Sequence, residues 1–80
     1  MDIKLIHGRF TPQESLDLIS RLIQVKIDFH LEKIHQSSME EDVKMRESKI
    51  KALQLQMNSV REHLHNREQR VDIDSHIQIG

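Results

Sequence analysis

An unbroken four-three spacing runs from residue 39 to residue 71 and constrains the fold of this chain more than any other feature. Val43, Ile50, Met57, Leu64 and Val71 take the a positions of a heptad repeat, and Met39, Arg46, Leu53, Val60 and Arg67 take the d positions. Eight of these ten side chains are apolar, so one narrow stripe of a long helix must face another helix. A period near 3.5 favours a left-handed supercoil. The spacing predicts a helix over residues 39–70. Ser38 and Glu41 stand at capping-box spacing, and Glu40, Glu41 and Asp42 crowd the first turn, where the positive end of the helix dipole favours acids. Arg61, His63, His65, Arg67 and Arg70 gather near the opposite end, which favours bases.

Upstream, Thr11-Pro12-Gln13-Glu14 combines an N-cap threonine, a proline at the first helical position and a glutamate at N3. It predicts a helix over 12–36. The apolar side chains of that helix form two rows. Leu16, Ile19, Ile23, Ile27 and Ile34 share one face with His30, and Leu18, Leu22, Val25 and Phe29 lie about 130° round the helix at 100° per residue. A helix with two apolar rows is covered from two directions.

The predicted fold is therefore mainly α: an antiparallel two-helix hairpin with short N- and C-terminal β-strands, dimerising into a four-helix bundle. Residues 37–38 form the turn. Leu16, Ile23, Ile27, Ile34, Val43, Ile50, Leu53, Met57, Val60 and Leu64 make the seam within one chain, and Leu18, Leu22, Val25 and Phe29 meet a second copy. One continuous rod is the rival, because the Leu18 row runs in phase through Glu32, Gln36 and Met39 into Val43. The rod would place Glu32 and Gln36 in its seam and leave the other apolar row in water. The hairpin uses both rows, although its turn contains neither glycine nor proline.

Two alternating stretches flank the helices. In residues 2–10, Ile3 and Leu5 fall on one side of an extended strand, with Lys4 and Ile6 on the other. In residues 71–79, a strand or flexible tail, Val71, Ile73, Ile77 and Ile79 alternate with polar residues. A hairpin brings the two stretches together as antiparallel neighbours. The second is also a candidate partner strand, since an alternating strand adds readily to the edge of another sheet. Pairing with residues 2–10 of the same chain or of a dimer mate is the favoured alternative, because an unpaired edge invites aggregation.

Composition narrows the function classes. Residues 1–80 suffice for a single small domain, and a core of this size barely offsets chain entropy. The absence of cysteine removes disulfides and thiolate metal sites, leaving self-association as the usual remedy. Twelve basic and thirteen acidic residues leave a formal charge of -1, which makes nucleic-acid binding unlikely. With neither a signal-peptide pattern nor a membrane-length apolar run, the expectation is a soluble, cytoplasmic protein without a membrane partner.

Six histidines raise the question of metal. Glu32 with His35 and Glu62 with His65 repeat the Glu-x-x-His spacing of di-metal bundles, but such a site needs two further inward glutamates, and Glu62 and His65 fall at outward f and b positions. His30 lies level with Arg46 and Glu47 in a hairpin folded near residue 38. That predicts a register-setting polar layer, or a pH-sensitive one. Arg46 and Arg67 are expected to snorkel. Gly8 belongs to no phosphate loop, and no Ser-His-Asp arrangement is legible. No catalytic, cofactor or metal residue is assigned. The expected function is a non-enzymatic, homo-oligomeric helical interaction module, a small regulatory or adaptor subunit whose partners are itself and another protein. A carboxylate-histidine metal-binding bundle is the alternative, followed by a nucleic-acid-binding regulator.

Overall fold

A computed structural model describes residues 1–80, in the order β1 (Asp2–Phe10), α1 (Pro12–Gln36), α2 (Glu40–Leu64) and β2 (Val71–Gln78). The chain is a helical hairpin whose two ends are tied together by an antiparallel two-stranded ribbon, so the continuous rod does not form.

Local chemistry fixes the start of α1. Thr11 is extended and closes the capping box in both directions: its Oγ1 accepts from the Glu14 N–H at 3.1 Å, and its own N–H donates to Glu14 Oε1 at 2.9 Å. Pro12 at the first helical position has no N–H to leave unpaired. The bond from the Thr11 N–H holds the Glu14 carboxyl below the usual carboxylate range. Ser15 follows, wholly shielded from solvent, with its hydroxyl donating to the Thr11 carbonyl at 2.9 Å.

The link between the helices is Ser37–Met39, one residue longer than the expected turn. Ser37 and Met39 are both extended, with ψ of 139° and 119°, so the reversal needs no left-handed residue and hence no glycine. The Ser38 and Glu41 capping box does not form. Met39 is the N-cap of α2 without a side-chain bond, and the Ser37 hydroxyl accepts from the Met39 N–H at 3.2 Å instead.

At its far end α2 stops at Leu64 rather than at residue 70. His65 is an extended C-cap, and Asn66 takes φ 59°, a left-handed conformation that asparagine tolerates better than most residues. Residues 65–70 therefore turn the chain toward β1. Arg67 and Val71 leave the heptad, and Val71 opens β2.

In the ribbon, Phe10 lies opposite Val71, Gly8 opposite Ile73 and Ile6 opposite Ser75; after a bulge at Leu5, Ile3 lies opposite Ile77. Residues directly opposite one another share a face of an antiparallel sheet. Ile3, Ile6 and Phe10 thus line one face together with Val71, Ile73 and Ile77, contrary to the expected split of Ile3 from Ile6. The extra residue at the bulge shifts the alternation by one position. Gly8 has φ 148°, a conformation L-residues rarely adopt, and a Cβ there would meet the Phe10 ring at 3.8 Å. The ring covers the gap that the glycine leaves.

Five of the 80 residues are buried: Leu53, Met57 and Leu64 from the α2 stripe, with Ser15 and His30 from α1. The other seam residues, Leu16, Ile23, Ile27, Ile34, Val43, Ile50 and Val60, are only half-buried. One helix covers one side of another, and nothing in the chain covers the rest.

Candidate interaction surface

His30 and Arg46 form the polar layer of the hairpin. Arg46 Nη1 lies 3.1 Å from His30 Nδ1. Guanidinium groups only donate, so Nδ1 is the acceptor and the neutral ring carries its proton on Nε2. Burial pushes the His30 pKa down, and the charges of Arg46, Lys49 and Lys26 push it the same way. Arg46 does not snorkel to water as expected. Its Nε is buried without a hydrogen bond, 3.5 Å from the Asp42 carboxylate, and its guanidinium lies 5.9 Å from the Phe29 ring centroid. The layer orients Phe29 from one side, while Lys33 Nζ sits 5.6 Å from the same ring centroid and the His30 ring meets it edge-on at 5.7 Å.

Phe29 belongs to the row assigned to a second copy. Within the single chain that row remains uncovered: Leu22 is 37% exposed, Phe29 51% and Val25 68%, with Leu18 half-buried. Lys26 lies beside Leu22 and Phe29 at helical spacing and, with His30, lines a groove completed by Lys49, Ala52, Leu53 and Gln56 of α2. A groove on the other side of the seam is polar, walled by Ser20, Gln24, Gln54, Asn58 and Arg61 around Ile23, Ile27 and Met57. Both grooves are mostly polar in their lining, and the apolar feature of the Lys26 side is the exposed row itself.

The ribbon adds a second surface. Ile19 of α1 and Val60 and Leu64 of α2 stand beside the first residues of β2, and the far part of the apolar face is open: Ile3 is 37% exposed, Ile77 42% and Ile79 52%. The proposed partner strand is already paired along one side. Val71, Ile73 and Ile77 lie opposite β1, and Met1 and Ile79 exchange backbone bonds of 2.8 and 2.7 Å just beyond the strand end. Only the opposite edge of β2 is unpaired. On the polar face Arg9 meets Asp72 at 3.1 Å and His7 meets Asp74 at 3.5 Å.

No family model, curated protein or solved structure matches the chain. No group of three or more histidine, aspartate or glutamate side chains is gathered as a metal site requires, and Glu32 with His35 and Glu62 with His65 remain separate pairs. No helix is long and apolar enough to cross a membrane. Sequence reasoning placed His30 level with Arg46 but missed the burial of Ser15, whose signal was its place one turn after the N-cap. It also missed the bulge that gathers the isoleucines of β1 onto one face, for which an alternating sequence carries no marker.

Proposed function

We propose that the chain is a non-enzymatic, self-associating helical interaction module, a small regulatory or adaptor subunit that works as a homodimer. Leu18, Leu22, Val25 and Phe29 of α1 pack against the same row of a second copy, and two hairpins form a four-helix bundle. Lys26, Lys33 and Lys49 border the row and reach the rim of the contact on their apolar stems.

The observation that carries this reading is the surface area. The chain exposes 6562 Å². A compact folded monomer of 9.5 kDa exposes about 5,000 Å². The surplus of roughly 1,500 Å² per chain is of the size that obligate homodimers bury. Leu22, Val25 and Phe29 of the α1 row and Ile3, Ile77 and Ile79 of the ribbon contribute to its apolar part, with Leu31, Met39, Met45 and Leu55 exposed elsewhere, and an apolar row of this kind on a folded protein marks an interaction site.

The test is the concentration at which the assembly falls apart, measured by light-scattering mass through a dilution series. Leu22→Asp and Phe29→Asp each place an unpaired charge in the proposed contact, and dissociation is expected at a concentration at least roughly tenfold higher than for the unaltered chain. A dissociation curve unchanged in both variants would remove the α1 row from the contact.

A further inference from the structure

We infer that the free edge of β2 pairs antiparallel with β2 of a second copy, centred on Ser75, to build a four-stranded sheet in the order β1-β2-β2-β1. Neither copy reaches this contact through the α1 row, so the inference stands apart from the helical dimer.

Met1 and Ile79 bond to each other through both backbone groups, so alternation turns the N–H and C=O groups of odd-numbered β2 residues toward β1. Those of Asp72, Asp74, His76 and Gln78 point to the open side. The β1 edge is blunted by the Leu5 bulge, by Gly8 at φ 148° and by Lys4 and Arg9. The β2 strand has no bulge, glycine, proline, lysine or arginine from Val71 to Gln78, and the charges it carries, Asp72 and Asp74, are met across the ribbon by Arg9 and His7.

The sequence of β2 then selects the occupant. Val71-Asp-Ile-Asp-Ser-His-Ile-Gln-Ile79 is self-complementary about Ser75. In an antiparallel pair centred there, Val71 faces Ile79, Asp72 faces Gln78, Ile73 faces Ile77, and Asp74 faces His76, each contact occurring twice. Every apolar residue meets an apolar residue, and each acid meets a hydrogen-bonding partner. A twofold register shifted to centre on Asp74 sets that carboxylate against its own copy, and one centred on His76 sets Ser75 against Ile77. Odd shifts put apolar residues opposite polar ones.

The surrounding surface fits the same occupant. The first residues of β2 border a groove with Ile19, Val60 and Leu64 in its walls. The proposed register sets Ile77 and Ile79 of the second copy beside Ile73 and Val71, at the mouth of that groove. Four strands with one apolar face also answer the marginal stability of a lone ribbon.

Cross-linking reads the register directly, because the chain has no cysteine of its own. Facing odd-numbered residues lie about 4.5 Å apart between Cα atoms, within disulfide range. Ser75→Cys in the full chain, oxidised with glutathione disulfide at micromolar concentration, is expected to link into covalent dimers at least about tenfold faster than Ser48→Cys on exposed α2, a separation set by pairing geometry. Chains bearing Ile73→Cys or Ile77→Cys alone are expected to stay unlinked, since like residues sit about 13 Å apart along the strand, whereas their mixture links. Adding Leu22→Asp to Ser75→Cys is expected to leave the link intact, which separates this contact from the helical one. Linking of Ser75→Cys no faster than Ser48→Cys, no link in the Ile73→Cys and Ile77→Cys mixture, or loss of the Ser75→Cys link when Leu22→Asp is added would each overturn the proposal.

Discussion

At the scale of single residues, His30 is where stability and proton binding meet. The folded chain holds its imidazole neutral because the ring is buried and because Arg46, Lys49 and Lys26 surround it, with Asp42 the carboxylate drawn close to Arg46. Protonation would remove the acceptor of the Arg46 bond and set two cations 3.1 Å apart. In the unfolded chain the same histidine titrates near its ordinary value of about 6.5. Well above that value both states hold His30 neutral and it contributes no pH dependence. As pH falls through about 6.5 the unfolded state takes up a proton that the folded state resists, so stability declines until the folded ring is also charged. The thermal midpoint is expected to fall between about pH 7.5 and about pH 5.5, and His30→Leu to show a shallower fall over the same interval. Equal slopes in the two chains would mean that the layer does not govern the response.

Among the elements, the seam between α1 and α2 is the part most legible in the sequence. The four-three spacing gave the contact side of α2, the Thr11 and Glu14 box gave the start of α1, and counting back from the turn brought His30 level with Arg46. Leu53 and Met57 are buried on that stripe, while Lys51 on the same helix is exposed. Leu53→Ala is expected to cost about 2–5 kcal/mol and Lys51→Ala close to none, as measured by chemical unfolding. Similar small losses at both positions would mean that the stripe is not the packed seam. The boundaries were less legible, because they depend on backbone conformations that compete closely. Heptad spacing continued through Arg67 and Val71, yet the gain from pairing β2 with β1 requires the helix to stop, and Asn66 supplies the left-handed residue at which it does. At Ser37–Met39 extended backbone makes the reversal without the glycine a sequence reading looks for. The Leu5 bulge follows from fitting one strand to the other, which no single stretch encodes.

The whole molecule is flat and open. Its Cα extents are 47 × 33 × 13 Å and its radius of gyration is 15.2 Å. A compact chain of 80 residues has a radius of about 12 Å. A thickness near that of one helix layer leaves an interior of only five buried residues, and a domain ordinarily packs at least two layers around its core. In the proposed homodimer the second layer is another copy of the chain, set against the α1 row. If the hairpin is completed by a second copy, its stability depends on concentration, because folding and association are then linked. The decisive measurement is the light-scattering mass of the intact chain at micromolar concentration, taken with circular dichroism on the same sample. A self-associating hairpin is expected to show a mass of at least twice the 9.5 kDa of one chain, with helical structure lost on dilution as the mass falls. A folded 9.5 kDa monomer, with helical content and thermal midpoint independent of concentration, would contradict it.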